Sequence, residues 1–347
     1  MDILLVGTYT QHDAPAVLEK QELGKGIYLI PYNEILGDVA GTPLIIQMQN
    51  PSWICLVKNR LFAVSESEDA AEIVEYEVGV QEERLTAEKK AGLQMPGKAS
   101  CHIEKDEKGQ RLFVSDYGSG DLKVIDISEA GSPKLLQEIS FTGKGLDPER
   151  QEASHIHSCF LHRGDLYAAD LGCDKIYSFD TDKGKLLQKE TIDVRPGAGP
   201  RHMEILEKNG KTYLYVLNEL DITISVYCNG ELCQTISLEE KLPEGALAAE
   251  LCIAEGKMLY ASVRGTGEIF GFTIDENGML NLKQKVVVPK GWFRSICLDS
   301  SEEHLLAADQ KTGKIYIFDR QSEGELGNQR VLVEVPVPVQ VLSGKIE

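Results

Sequence analysis

The sequence predicts an all-β fold, a seven-bladed propeller of four-stranded antiparallel blades, on three observations. A short apolar, often aromatic segment recurs seven times along the chain. Each copy is flanked by alternating strands and tight turns rather than by helical periodicity. A surplus strand near the carboxyl terminus has no blade of its own.

The repeats are ILLVGTYT at 3, RLFAVSES at 60, RLFVSDYG at 111, DLYAADLG at 165, YLYVLNEL at 213, MLYASVRG at 258 and HLLAADQK at 304. With Leu5, Phe62, Phe113, Tyr167, Tyr215, Tyr260 and Leu306 as equivalent positions, the intervals are 57, 51, 54, 48, 45 and 46 residues. After each copy comes an alternating strand such as KVIDIS, KIYSFDT or KIYIFD, then one with a Leu-rich step such as KLLQKET or LNLKQKV. Before each copy stands a strand ending in a turn, as in SCHIEKDEKGQ or SICLDSSEE. Period-2 alternation bounded by Gly, Asp and Asn predicts antiparallel meanders. Small twisted sheets with two apolar faces need neighbours on both sides, which a closed ring supplies. The first copy lacks a preceding strand, and Val339 to Leu342 can complete that blade and remove an open edge. Prolines at 336 and 338 suit the entry or edge of that strand. One propeller domain over 1–347 follows.

With 36 Lys and Arg against 55 Asp and Glu, the formal charge is −19, which repels nucleic acid and anionic membrane surfaces. An anionic ligand would therefore need a local patch of converging Arg or His. No apolar run approaches the roughly 20 residues of a spanning helix, and MDILLVGTYT has no basic flank, so a cytoplasmic protein is expected. The eight cysteines lie scattered, several within apolar runs and none as Cys-x-x-Cys, the pattern of reduced core thiols.

If the recurrent strand lines the axis, equivalent positions of all blades converge on one mouth of the channel. Four residues after each anchor stand Tyr9, Glu66, Tyr117, Leu171, Glu219, Arg264 and Gln310. The ends of the preceding strands supply Trp53, His102, His157, Arg201 with His202, Glu250 and Arg294. Three segments stand out: RQEASHIHSC at 150, with His155 and His157 one pleat apart; GAGPRHMEIL at 197; and WFRSICLD at 292.

VGTYT, RQEASHIHS followed by ADLGCDKIYSF, GAGPRHMEI with LYVLNEL, and WFRSICLD together resemble the seven-bladed β-propeller lactonase family, which includes 6-phosphogluconolactonases and muconate lactonising enzymes. The resemblance runs along the whole chain. It implies a lactone hydrolase acting on a small anionic sugar lactone, 6-phosphogluconolactone first, in the pentose phosphate pathway, with lactone formation from an unsaturated dicarboxylic acid as the alternative. It carries the family's active-site positions onto His157, Arg201, Glu219 and Arg294. Phe293 stands where other members usually have proline.

The residue types suit that chemistry. Water attack on a lactone carbonyl develops negative charge on oxygen, which cationic donors stabilise. Arg201 is assigned to the carbonyl or a carboxylate, and Arg294, with Arg264, to a phosphate. Glu219 or His157 can take the water's proton. His155, His202, Glu66, Tyr117 and Gln310 complete the expected substrate contacts. The competing readings are structural: Glu66, Glu219 and Arg264 as mutual neutralisers, Arg150 as a solvated side chain or brace, and His155 with His157 as a metal pair lacking a third ligand. No cofactor is called for: GSGD at 118 and GTGE at 265 precede no helix. A protein-binding scaffold is the remaining class, though the W-D and G-H repeat of interaction propellers is missing.

Overall fold

A computed structural model describes residues 1–106, 108–181, 184–239 and 242–347. The turn expected in SCHIEKDEKGQ includes Glu107, outside the described residues. Among the described residues the regular elements are all strands, gathered into seven antiparallel sheets. Inner strands are Pro338–Lys345 in blade 1, then Pro51–Val57, Ser100–Lys105, Ile156–His162, Pro200–Lys208, Leu247–Ala254 and Phe293–Leu298 in blades 2 to 7. Each inner strand touches those of the two neighbouring blades, so the ring closes on itself.

Closure is the predicted one. Pro338–Lys345 pairs with Asp2–Thr8 from Asp2 opposite Lys345 to Thr8 opposite Pro338, uniting the two ends of the chain in blade 1. Pro338 opens that strand, where its missing N–H disturbs the ladder least. The outer position of blade 1 is split between Asp38–Val39 and Leu44–Gln47, both paired with Gly26–Asn33.

One expectation is corrected. The recurrent segment is the second strand of each blade, and the strand before it lines the axis. The second strand has partners on both edges and neighbouring blades on both faces, so Arg111–Asp116 is buried from Leu112 to Asp116. Outer strands meet solvent on one face and alternate, as Lys134–Ser140 does. The strongest apolar repeat thus marks the most enclosed strand. Seven apolar clusters fill the seven gaps between blades. Truncating an anchor such as Phe113, fully buried between blades 3 and 4, is expected to cost about 3–5 kcal/mol.

All eight cysteines are free, four of them buried. No helix of the described residues is long and apolar enough to cross a membrane.

Candidate functional site

Every inner strand carries a β-bulge close to its start, one residue longer than the stretch of second strand it faces; in blade 6 Ala249 and Glu250 together oppose Ser262. The extra residue is Ser52 in blade 2, Cys101 in blade 3, His157 in blade 4, Arg201 in blade 5 and Arg294 in blade 7. A bulge breaks strict alternation, so two successive residues can both leave the sheet toward the axis. The first goes to one mouth of the channel. The next lines the channel beneath it: Trp53, His102, Ser158, His202 and Ser295 all border a central cavity of about 530 Å³. The ring read from the sequence is therefore two layers, with His157, Arg201 and Arg294 above and Trp53, His102, His202 and Glu250 below.

The turn after each second strand secures the bulge. Asp170 accepts the backbone N–H groups of His155 and Cys173, and Asp309 those of Trp292 and Thr312. In blade 5 the Gly-Pro loop does this: the Gly199 carbonyl accepts the Glu219 N–H at 2.7 Å. Gly199 has φ +66°, and a Cβ there would lie 2.6 Å from Leu220, so only glycine fits.

At the mouth Glu219 is the hub. Its carboxylate meets Arg150 at 2.6 Å, Arg201 at 2.8 Å and Arg264 at 2.8 Å. Glu219 is 1 % exposed, Arg201 4 % and Arg264 5 %, so these charges depend on one another rather than on water. Burial pushes the Glu219 carboxyl up, but Arg264, Arg150 and Arg201 outweigh it and hold it well below the usual carboxylate range. Arg201 also donates to the Ala249 carbonyl at 2.6 Å and to His157 Nε2. Burial, then the Arg201 charge, keeps His157 well below its usual pKa, hence neutral. A neutral ring that accepts at Nε2 carries its hydrogen on Nδ1, a buried atom without a partner.

A second cluster completes the mouth. Tyr9 donates to Glu66 Oε2 at 2.6 Å, Arg294 Nη2 lies 3.4 Å from the same oxygen, and its guanidinium sits over the Tyr9 ring. The charge of Arg294 is felt by Arg264 and that of Glu219 by Arg294, so the clusters form one field. Four guanidiniums face two carboxylates, the local cationic patch that an acidic body needs to admit an anion.

Tyr117 joins the group through Arg150, whose Nη2 donates to the phenol oxygen at 3.3 Å. His155 stacks on Tyr117 with centroids 4.3 Å apart, and its two nitrogens face the Tyr117 carbonyl and Glu152. Of the two histidines, His157 faces the arginines. His202 lies a layer lower than expected, bonded to Glu250 and reaching the mouth only through ring contact with His157. Gln310 is fully buried and donates to the Pro15 carbonyl, which ties it to the N-terminal loop. Among the described residues no three His, Cys, Asp or Glu are grouped to hold a metal.

Arg150 is the residue sequence reasoning undervalued. It comes from a loop pinned by Gln151, itself 1 % exposed, which bonds the Leu171 carbonyl and Asp174 and receives two backbone N–H groups. The signal was its place as the first residue of RQEASHIHS.

The family model "Lactonase, 7-bladed beta-propeller" matches residues 3–343. A Bacillus subtilis protein named 6-phosphogluconolactonase is 28 % identical, covering 97 % of this chain and 96 % of its own. One of the same name from Formosa agariphila is 32 % identical over 86 % of this chain and 90 % of its own. Among solved structures, a Lactobacillus plantarum protein superposes with a TM-score of 0.87 at 25 % identity, covering 99 % of this chain and 100 % of its own. The periplasmic gluconolactonase of Pseudomonas aeruginosa gives 0.84 at 23 %, over 100 % of this chain and 99 % of its own, a likeness of fold. On a match spanning nearly all of its length, the chain belongs to the seven-bladed β-propeller lactonase family.

Proposed function

We propose that this protein hydrolyses 6-phosphogluconolactone to 6-phosphogluconate at the arginine-lined mouth. The observation that carries the reading is the convergence of four guanidiniums on two carboxylates in a chain of formal charge −19. Two of the relatives named above, from two organisms, carry the name of this activity, which weighs for hydrolysis over lactone formation. Eight free thiols suit a reducing cytoplasm.

Arg201 and the unpartnered Nδ1–H of His157 donate to the carbonyl oxygen as it becomes an alkoxide. Glu219 serves by holding Arg150, Arg201 and Arg264 in place. With three guanidiniums on it, it is a poor proton acceptor. Glu66 is better suited, because both its bonds go to Oε2 and Oε1 is left open to water. Water adds to the carbonyl carbon as Glu66 takes one of its protons. The tetrahedral intermediate then breaks the ring C–O bond, and that proton passes to the departing oxygen, leaving the hydroxy acid. Arg294, set between Tyr9 and Glu66, steadies the base.

The test is loss of the phosphorylated lactone above its spontaneous rate. Arg201→Ala is expected to lower kcat by about 10²–10³, and Glu66→Gln by about 10²–10⁴. Wild-type turnover no faster than the spontaneous reaction would discard the hydrolase; full activity in both variants would discard the site.

A further inference from the structure

The arginines of the mouth are already engaged with carboxylates, which leaves open where a substrate's phosphoryl group is held. Lys311 is differently placed. It follows Gln310 at the end of the blade 7 second strand, its Nζ lies 3.3 Å from the centroid of the Trp292 ring, and among the described residues it has no ion pair. Trp292 is fixed from both sides. Its backbone bridges Arg264 of blade 6, its N–H is bonded to Asp309, and its carbonyl accepts the Gln310 N–H. Lys311 thus caps the indole of a residue whose backbone is bridged to Arg264. Burial and the Arg264 charge lower the Lys311 pKa against the pull of Asp309, so the two cations sense each other.

Two buried donors without a partner belong to these two bridged residues: Arg264 Nε and Trp292 Nε1. Arg264 is only 5 % exposed, and its Nη2 meets Glu219 and the Ala248 carbonyl while Nε is left without an acceptor. Buried donors normally find partners, so two orphaned donors on neighbouring residues mark where a ligand completes the bonding. Two N–H groups and an ammonium beside an indole suit a multi-oxygen anion. A phosphoryl group, with three acceptor oxygens and a charge near −1.5 to −2 at neutral pH, uses them all.

We propose that Lys311, Trp292 and Arg264 form the subsite that binds the phosphoryl group of the substrate, and that Lys311 selects phosphorylated over unphosphorylated sugar lactones. This rests on the lactone hydrolase reading and adds its specificity determinant. Arg294, expected from the sequence to hold the phosphate, meets Glu66 instead.

The experiment compares kcat/KM for a phosphorylated gluconolactone and its unphosphorylated counterpart in wild type, Lys311→Met and Lys311→Arg. Methionine keeps an unbranched stem over Trp292 and removes the charge. The expected result is a fall of about ten- to a hundredfold in the ratio of the two kcat/KM values, largely restored by arginine. Trp292→Phe, which keeps a ring but loses the N–H, should lower the ratio less. An unchanged ratio in Lys311→Met overturns the proposal, whether activity is kept or lost on both substrates. If wild type turns over neither lactone, the hydrolase reading fails and binding decides the subsite. Inorganic phosphate should then raise the melting temperature of wild type but not of Lys311→Met, and an equal rise in both, or none in wild type, overturns it.

Discussion

The mouth and the channel beneath it are built from consecutive residues of the same strands, yet they treat a buried carboxyl in opposite ways. Glu219 in the mouth is met by three guanidiniums and held ionised. Glu104, Glu204 and Glu250 border the cavity below, where burial pushes each up to about 8. The like charges of Glu250 and Glu104 raise Glu204 further, while Arg201 only partly offsets the burial of Glu250. Below, His102 and His202 are held neutral, first by burial. Burial is common to both layers, so the density of guanidinium decides which carboxyl keeps its charge. The mouth gathers more guanidiniums than carboxylates, and the carboxyls and imidazoles of the channel stay uncharged near neutral pH.

The largest expected break in that contrast is Glu219→Gln. It leaves Arg150, Arg201 and Arg264 crowded without their shared counter-ion, and removing one partner of a buried ionic cluster typically costs about 3–5 kcal/mol. Thermal unfolding should show the loss, together with most of the activity, since Arg201 loses its anchor. A melting temperature within a degree or two of wild type would mean that the arginines find other partners and that Glu219 is not the hub.

That hub shows what the sequence could and could not convey. The sevenfold repeat and the clasping strand were legible because the blades bury apolar residues at a fixed spacing. Strand-end convergence gave a wider ring of candidates, and the family resemblance singled out His157, Arg201, Glu219 and Arg294 among them. The layering was not, since it depends on a bulge that leaves no mark in the alternation of apolar residues: Arg201 and His202 look equivalent as neighbours, yet one reaches Glu219 and the other Glu250. Arg150 and Lys311 escaped for another reason. Both lie in turns, where placement depends on side-chain pins such as Gln151 or on an indole from the adjacent strand entry.

A smaller effect separates the layers by pH. A carboxyl whose pKa is raised on folding takes up a proton, so its contribution is fully present below the unfolded value near 4.5 and is lost as pH rises through about 8. Glu219, lowered on folding, has the opposite sign and loses its contribution as pH falls below the usual carboxylate range. The neutral histidines also act only on the acid side, below about 6.5. Between pH 6.5 and 8 the falling limb therefore comes from the channel carboxyls. Glu204→Gln should flatten it, because it removes one such group and relieves the like-charge pressure on another site. Melting temperatures measured from pH 5 to 9 check this, and an equally steep fall in the variant would move the alkaline limb elsewhere.

The smallest expected effect is on catalysis by the channel. Glu250 touches the mouth only through His202, whose ring lies against His157 at 5.2 Å between centroids. At pH 6 Glu250 is protonated and His202 neutral, so their hydrogen bond joins two uncharged groups. Glutamine offers the same choice, a carbonyl to accept or an N–H to donate, in nearly the same volume. Glu250→Gln should therefore keep kcat/KM at pH 6 within a factor of about two to three, a change under about 0.7 kcal/mol. The contrast with Glu219→Gln is then one of surroundings, the same substitution applied to the same residue type one layer apart. A tenfold loss in Glu250→Gln would show that the proton held between Glu250 and His202 takes part in the reaction through His157, and the two layers would have to be treated as one site.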